Sequence, residues 1–175
     1  MKKESILWLS LAGIVIVTFV SFVNKPFSAK PLNIQETSND SNQTSDSAKM
    51  GGYLGKLLAG TTSPYLAFNK SDYEKALKEN KVILLDFYAN WCPICRGEEP
   101  VLKEAFNKFN SDKVVGFRVN YKDIDTDKSE EELARQFNIP YQHTKVVLKD
   151  GKEVLRSSEV WDQSTFVEKL TPFIN

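Results

Sequence analysis

The residues best suited to chemistry are the two cysteines of the chain, Cys92 and Cys95, which are separated by two residues. Residues 82–85 are all apolar and predict a buried strand just before the pair, and a helical pattern follows it. Two sulfurs with this spacing at the start of a helix can close a small disulfide ring or open as a dithiol. The spacing therefore predicts a redox pair. The alternatives are two structural cysteines or half of a zinc site, but one chain lacks the four ligands of a structural zinc site.

Cys92 is the predicted nucleophile and is expected to be exposed, because unpaired N–H groups at a helix N-terminus favour a thiolate. Cys95 lies one turn later, is expected to be more buried, and would resolve a mixed disulfide between Cys92 and a partner protein. Pro93 lacks an N–H and so removes one potential donor to the Cys92 sulfur. Trp91 is expected to shield the cysteines and to offer a flat contact surface, with plain packing as the alternative.

Asp86 is a carboxylate within an otherwise apolar run. A buried acid has a raised pKa and can pass protons, so Asp86 is predicted to relay protons to and from Cys95. The alternative is a carboxylate exposed at the edge of a strand, since buried carboxylates are uncommon.

His143 is the only histidine of the chain. A lone histidine is by default structural or exposed, but a cationic imidazole facing Cys92 would favour the thiolate. His143 would also add a third ligand to Cys92 and Cys95, enough for an open Cu(I) or Zn(II) site. A metal-handling protein is therefore the alternative function, whereas the favoured function uses neither a metal nor a cofactor.

Charge and cysteine content narrow the classes of protein. The 23 basic and 23 acidic residues balance, so nucleic acid is not expected as a partner. Two cysteines can form only one disulfide, which is too few for a disulfide-stabilised fold. The fold must therefore depend on its own hydrophobic core.

The N-terminal part of the chain predicts a membrane anchor. Residues 6–23 are uncharged and mostly apolar, and at ~1.5 Å per residue they extend roughly 27 Å, close to the hydrocarbon thickness of a bilayer. A cleaved signal peptide is the alternative, but Phe27 stands where a cleavage site requires a small residue. A transmembrane signal anchor is favoured, with residues 1–5 as a cytoplasmic stub and the rest extracytoplasmic. Lysines on the far side weaken that orientation, and residues 24–62 are predicted to be a flexible polar linker.

The remaining residues, 63–175, predict one α/β domain with the order β-α-β-α-β-α-β-β-α. Capping boxes beginning at Ser71 and Ser129 mark two helix starts. Asp150 and Gly151 predict the turn of a hairpin. The predicted strands are 65–68, 82–88, 114–121, 144–148 and 153–160, and the predicted helices are 72–79, the cysteines to 110, 129–137 and 164–173.

The segment 82–100 resembles the active-site segment of thioredoxin-like proteins. The likeness includes the acid six residues before the first cysteine (Asp86), the tryptophan directly before it (Trp91) and the proline five residues after the second (Pro100). The closing hairpin and the terminal helix also match, so the resemblance covers residues 63–175.

The resemblance implies a thioredoxin-like three-layer α/β/α sandwich with a mixed central sheet, here preceded by a transmembrane helix and a linker. It implies a thiol–disulfide oxidoreductase with a redox disulfide between Cys92 and Cys95. Pro100 and Thr144 would shape its active site. Arg118 falls where related proteins often carry a lysine near the buried acid, and an exposed strand arginine is the alternative. Protein disulfides or dithiols would be its substrates, and an external redox partner would recycle the pair.

One position departs from the family pattern. The family usually has a cis-proline facing the cysteines, followed by a threonine. Counting back from the hairpin without gaps places Thr144 on that threonine and His143 on the proline, whereas Pro140 lies three residues too early. The ungapped register is favoured, and His143 is expected in the trans form because a cis bond before a non-proline residue costs ~3–4 kcal/mol.

Overall fold

The computed structural model describes residues 52–174, which form one mixed sheet with helices on both faces. The strands are β1 (Leu57–Ala59), β2 (Tyr65–Ala67), β3 (Val82–Tyr88), β4 (Val114–Asn120), β5 (Thr144–Lys149) and β6 (Lys152–Ser157). The helices are α1 (Lys70–Lys78), α2 (Pro93–Lys108), α3 (Lys128–Gln136) and α4 (Gln163–Leu170), with a final 3₁₀ turn at Thr171–Phe173.

The sheet has the strand order β1-β2-β4-β3-β5-β6. The strands β2, β4 and β3 run parallel, while β1, β5 and β6 pair antiparallel with their neighbours. The strand β3 lies between β4 and β5 and all seven of its residues are buried, which a near-continuous apolar run predicts for a central strand. The predicted thioredoxin-like α/β architecture with a mixed sheet is confirmed.

Alternate residues of β3 pack into two separate cores. Val82 and Leu84 pack with residues of α2 and α4, and Ile83 and Leu85 pack with residues of α1 and α3. The Asp86 side chain shares the α2 side with Leu84, because side chains alternate between faces along a strand. The alternation of side chains along β3 therefore places this carboxylate on the face of the sheet that packs against α2.

The folded part begins earlier in the chain than predicted. The strand β1 lies inside residues 24–62, the predicted linker, and pairs with β2. The Asp72 carboxylate also accepts hydrogen bonds from the backbone N–H groups of Leu54 and Gly55, at 2.6–2.9 Å. A three-residue edge strand among glycines has almost no sequence signal of its own, and its order comes from these tertiary contacts.

The two predicted capping boxes are wrong in register. Asn69 caps α1, and its side chain accepts from the backbone of Ser71 and Asp72. Asp127 caps α3 in a reciprocal box with Glu130. Asparagine and aspartate cap at least as well as serine, so the stronger acceptor just upstream decides the helix start.

The C-terminal elements agree with the prediction except at their ends. Asp150 and Gly151 both have positive φ, 52° and 71°, as the predicted hairpin turn requires. The strand β6 ends at Ser157 rather than at residue 160. The last helix becomes a 3₁₀ turn at Thr171–Phe173, where Pro172 has no N–H to continue an α-helix.

Residues 1–5 and 6–23, the predicted stub and anchor, lie outside the described residues. Within residues 52–174, no helix has both the length and the apolar character needed to cross a membrane.

The packing around Gly116 leads to a first prediction. A Cβ at Gly116 would overlap the Phe106 and Tyr65 rings, which stack with their centroids 4.8 Å apart. Because both rings are fully buried, Gly116→Ala is expected to lower the free energy of unfolding by about 1–3 kcal/mol. Urea denaturation measures this change.

Gly97 is the matched control. It lies in α2 with no atom within 4 Å of an added Cβ, so Gly97→Ala should raise the free energy of unfolding by about 0.5–1 kcal/mol. Equal stabilities of the two alanine variants would contradict the described core.

Candidate active site

The cysteine pair opens helix α2. Cys92 is the N-cap, and its sulfur accepts a hydrogen bond from the Cys95 backbone N–H at 3.2 Å. Pro93 holds the first helical position, where its missing N–H leaves no intrahelical bond unmade. Both cysteines are free thiols. The helix start thus directs one N–H at the Cys92 sulfur, an arrangement that stabilises negative charge there.

The prediction that Cys92 is exposed is wrong. Its exposed fraction is 3%, and that of Cys95 is 5%. The capping bond turns the Cys92 sulfur back towards the helix, and both cysteines cluster with Tyr88 and Ala89.

Two large apolar side chains flank the cysteines in sequence and face solvent. Trp91 is 52% exposed and Ile94 is 54% exposed. The Trp91 indole N–H donates to the Lys122 carbonyl at 3.1 Å, which fixes the ring at the protein surface. This placement agrees with a flat contact surface more than with plain packing.

Cys95 has a strongly perturbed thiol. Burial, which is the largest cause, acts together with the hydrogen bond to Cys92 and the charges of Cys92 and Asp86 to raise its pKa from 9.0 to about 12. A thiol with this pKa is almost fully protonated at neutral pH, so it needs a base in order to attack.

Asp86 is a buried carboxyl of the site, and the alternative of an exposed carboxylate is wrong. The side chain is buried and accepts a hydrogen bond from the Tyr65 hydroxyl at 2.8 Å. Burial raises the Asp86 pKa above 3.8, and the Lys145 ammonium is the largest influence that lowers it. The charge of Asp86 is one of the causes that raise the Cys95 pKa.

Arg118 does not pair with Asp86. The two residues are neighbours in the β3–β4 ladder, but the Arg118 guanidinium binds Glu99 at 2.7 Å and lies 4.9 Å from the centre of the Tyr88 ring. The Glu99 carboxylate on α2 is only partly buried, so Arg118 pairs with it at a position nearer to solvent than Asp86. Lys145 takes the place beside the acid that the resemblance implied for Arg118.

Sequence reasoning missed two site residues, Glu98 and Lys145. Lys145 is fully buried on β5 opposite Asp86, and its ammonium donates to Glu98 at 2.7 Å and to the Glu159 carbonyl at 3.1 Å. Glu98 is also buried and accepts from the backbone N–H of Trp161. A signal was present: Glu98 is three residues after Cys95, on the helix face that packs inward.

His143 directly precedes β5 and lies in the left-handed region, with φ of 66°. Its backbone N–H donates to the Phe87 carbonyl at 2.6 Å. Its side chain is buried, and neither ring nitrogen has a hydrogen-bond partner. Nδ1 is 3.1 Å from a Glu98 oxygen but out of line for a hydrogen bond.

Two features of the site act against a cationic imidazole. Burial lowers the His143 pKa from 6.5, and the Lys145 charge lowers it more than the Asp86 charge raises it. Both effects disfavour the positive charge that was expected to act on Cys92.

The remaining predicted residues are placed as follows. Thr144 begins β5, and its hydroxyl donates to the Tyr141 carbonyl at 2.9 Å. Pro140 is exposed, and residues 52–174 contain no cis peptide bond. His143 thus stands directly before the strand, as the ungapped register predicts. Pro100 lies within α2, where it cannot donate a helical hydrogen bond.

The alternative metal site does not form. In the part of the chain that the structure describes, no group of three or more Cys, His, Asp or Glu side chains could hold a metal ion. Cys92, Cys95 and His143 therefore lack the arrangement that an open Cu(I) or Zn(II) site would need.

The backbone at His143 supports a second prediction. Proline fixes φ near −65° and has no N–H, so His143→Pro conflicts with the observed φ and loses the bond to Phe87. The free energy of unfolding is expected to fall by more than about 1 kcal/mol. Thermal and urea unfolding of the pure variant give this value.

His143→Gly is the control for this effect, because glycine adopts positive φ freely. A proline variant as stable as the glycine variant would contradict the left-handed backbone at this position.

The fold and the arrangement of the cysteine pair together define a class, the thioredoxin-like proteins. The family model named Thioredoxin matches residues 64–172, and the chain belongs to this family.

Similar proteins agree with that assignment. Thioredoxin H2 of Arabidopsis thaliana is 32% identical over 123 residues, covering 61% of this chain and 86% of the relative. Thioredoxin-2 of Pyricularia oryzae is 31% identical over 86 residues, covering 49% of this chain and less than half, 46%, of that protein. The crystal structure of Trxlp from Edwardsiella tarda superposes with a TM-score of 0.51 and 26% identity, covering 59% of this chain and 95% of Trxlp.

Proposed function

We propose that this chain exchanges disulfides with partner proteins through Cys92 and Cys95. The observation that carries the proposal is the pairing at the start of α2, where the Cys95 N–H donates to the Cys92 sulfur at 3.2 Å. The buried Asp86 carboxyl, whose charge raises the Cys95 pKa, is the proposed base for the reaction.

In the first step the Cys92 thiolate attacks a disulfide of the partner protein. The S–S bond of the partner breaks, a mixed disulfide with Cys92 forms, and one partner sulfur leaves as a thiolate that takes a proton from water. The N–H of Cys95 stabilises negative charge on Cys92 before the attack.

In the second step Cys95 resolves the mixed disulfide. The Asp86 carboxylate takes the proton of the Cys95 thiol, and the Cys95 sulfur then attacks the Cys92 sulfur. The Cys92–Cys95 disulfide forms, the second partner sulfur leaves and is protonated, and two electrons have passed to the partner. The reverse sequence oxidises a partner dithiol, and an external redox partner resets the pair in either case.

The equilibrium with glutathione tests this proposal. The full chain is incubated at a series of ratios of reduced to oxidised glutathione, quenched with acid, and analysed by mass for loss of two hydrogens. One two-electron transition between dithiol and intramolecular disulfide is expected, and its midpoint decides between a reductant and an oxidant. Absence of an intramolecular disulfide at every ratio would contradict the proposal.

We also propose that residues 6–23 anchor the chain in the cell membrane as a single span, with the thioredoxin-like domain extracytoplasmic. The uncharged run of eighteen residues and the poor cleavage site at Phe27 support this proposal. Membrane extraction followed by mass measurement tests it. The full-length mass in the membrane fraction is expected, and a shortened chain released from the membrane would contradict it.

A further inference from the structure

Three buried ionisable groups lie together on the α2 side of the sheet. Asp86 of β3 and Lys145 of β5 are directly paired in the antiparallel ladder, and Glu98 comes from α2. Lys145 is 0% exposed and its ammonium bonds to Glu98 at 2.7 Å. The buried cation thus binds one of the two carboxyl groups and lies opposite the other in the ladder.

The two carboxyl groups have unequal surroundings. Glu98 receives hydrogen bonds from the Lys145 ammonium and from the Trp161 backbone N–H. Asp86 receives one, from the neutral Tyr65 hydroxyl. Glu98 therefore holds the Lys145 ammonium directly, whereas burial raises the pKa of Asp86, the carboxyl with no cationic hydrogen-bond partner.

We propose that Glu98 and Lys145 are positioning residues for proton transfer from Cys95. Glu98 pairs with the Lys145 ammonium and offsets its charge. Without Glu98, the Lys145 charge would lower the Asp86 pKa and make this carboxylate a weaker base. Asp86 thereby stays basic enough to accept the Cys95 proton while the new S–S bond forms. This inference rests on the proposed disulfide exchange, and it assigns the buried ion pair to the resolving step.

The other groups around Asp86 do not change this difference between the surroundings of Asp86 and Glu98. On β4, Arg118 neighbours Asp86 in the ladder but binds Glu99, which also binds Lys103 at 2.8 Å. The groups whose charge or hydrogen bond acts on the Asp86 pKa come from β2, α2, β5 and the residue before β5, and they are Tyr65, Glu98, Lys145 and His143. Burial and the Lys145 charge both lower the His143 pKa.

Two single substitutions should act in opposite directions. In Glu98→Gln the Lys145 charge acts on Asp86 without compensation, so the pH at which resolution accelerates should fall by about one unit. In Lys145→Met the Glu98 charge acts alone, and that pH should rise by a similar amount. In the double variant Glu98→Gln/Lys145→Met both charges are absent. The pH at which the rate of resolution is half of its maximum, called the midpoint below, should return towards the wild-type value.

The measurement is single-turnover resolution in the full chain. A mixed disulfide of Cys92 with thionitrobenzoate is prepared, and release of the coloured thiol by Cys95 is followed across a range of pH. Glu104→Gln is the matched control, because Glu104 lies on the same helix in an exposed ion pair with Lys108. Its midpoint should equal that of the wild type.

The signs of the two shifts decide the proposal. Midpoints that do not move, or that move in the same direction in both single variants, would overturn it, because a merely structural pair would change rates or stability without opposite shifts. If Lys145→Met does not fold, a fall in the midpoint of Glu98→Gln together with its return in the double variant supports the proposal, and no fall overturns it. A wild type that releases no thiol at any pH would instead overturn the proposed exchange itself.

Discussion

Replacement of Cys92 by serine is expected to reduce disulfide exchange by roughly three orders of magnitude or more, as removal of a nucleophile does in other enzymes. The serine hydroxyl can still accept the N–H of Cys95 at the helix start, so the fold should be retained. Reduction of a disulfide-bonded protein such as insulin, with dithiothreitol as the electron source, measures the loss.

Cys95→Ser is the matched variant, since it removes a sulfur one turn away and leaves the nucleophile in place. It should lose turnover but still consume one equivalent of a disulfide reagent. Substantial insulin reduction by Cys92→Ser would mean that Cys92 is not the attacking sulfur.

Replacement of Asp86 by asparagine is expected to have opposite effects on activity and on stability. The resolving step should slow by about 100-fold or more, because positioned general bases contribute about 10²–10⁴-fold. The amide keeps an acceptor for the Tyr65 hydroxyl, whose bond to Asp86 is 2.8 Å long. Release of the thiol from a Cys92 mixed disulfide gives the rate.

The same substitution should stabilise the protein at neutral pH. Burial raises the Asp86 pKa in the folded state above 3.8, so the unfolded chain releases this proton at a lower pH than the folded chain does. The wild type consequently loses stability as pH rises from about 3.8 through the Asp86 pKa of the folded state. The loss is about 1.4 kcal/mol for each unit by which the folded pKa exceeds the unfolded pKa. Asp86→Asn has no carboxyl to ionise at this position, so its stability does not fall for this reason as pH rises.

Urea unfolding at a series of pH values tests the sign. The free energy of unfolding of Asp86→Asn minus that of the wild type should grow with pH and then level off. A difference that is independent of pH, or one that falls as pH rises, would contradict a buried acid with a raised pKa. Glu104→Gln is a suitable control, because its partner Lys108 is equally exposed.

Local sequence signals predicted much of the fold. The apolar run of β3 and the turn at Asp150 and Gly151 each depend on neighbours in the chain, and each was correct. Helix starts were less predictable, because Ser71 and the true cap Asn69 are both good acceptors and only the backbone geometry decides between them.

The buried charges could not be predicted in the same way. The pairing of Lys145 with Glu98 joins residues that are 47 positions apart, and it requires the register of β5 against β3 and the rotation of α2. The burial of Cys92 likewise follows from the direction of its capping bond. Electrostatic partners of this kind are set by tertiary packing, which explains why Arg118 was assigned to the wrong acid.

Mass analysis of Cys95→Ser after brief exposure to a disulfide-bonded peptide tests the central claim most directly. The account predicts a stable mixed disulfide between the peptide and Cys92, which persists because the resolving sulfur is absent. Recovery of unmodified protein under conditions in which the wild type reduces the same peptide would contradict it.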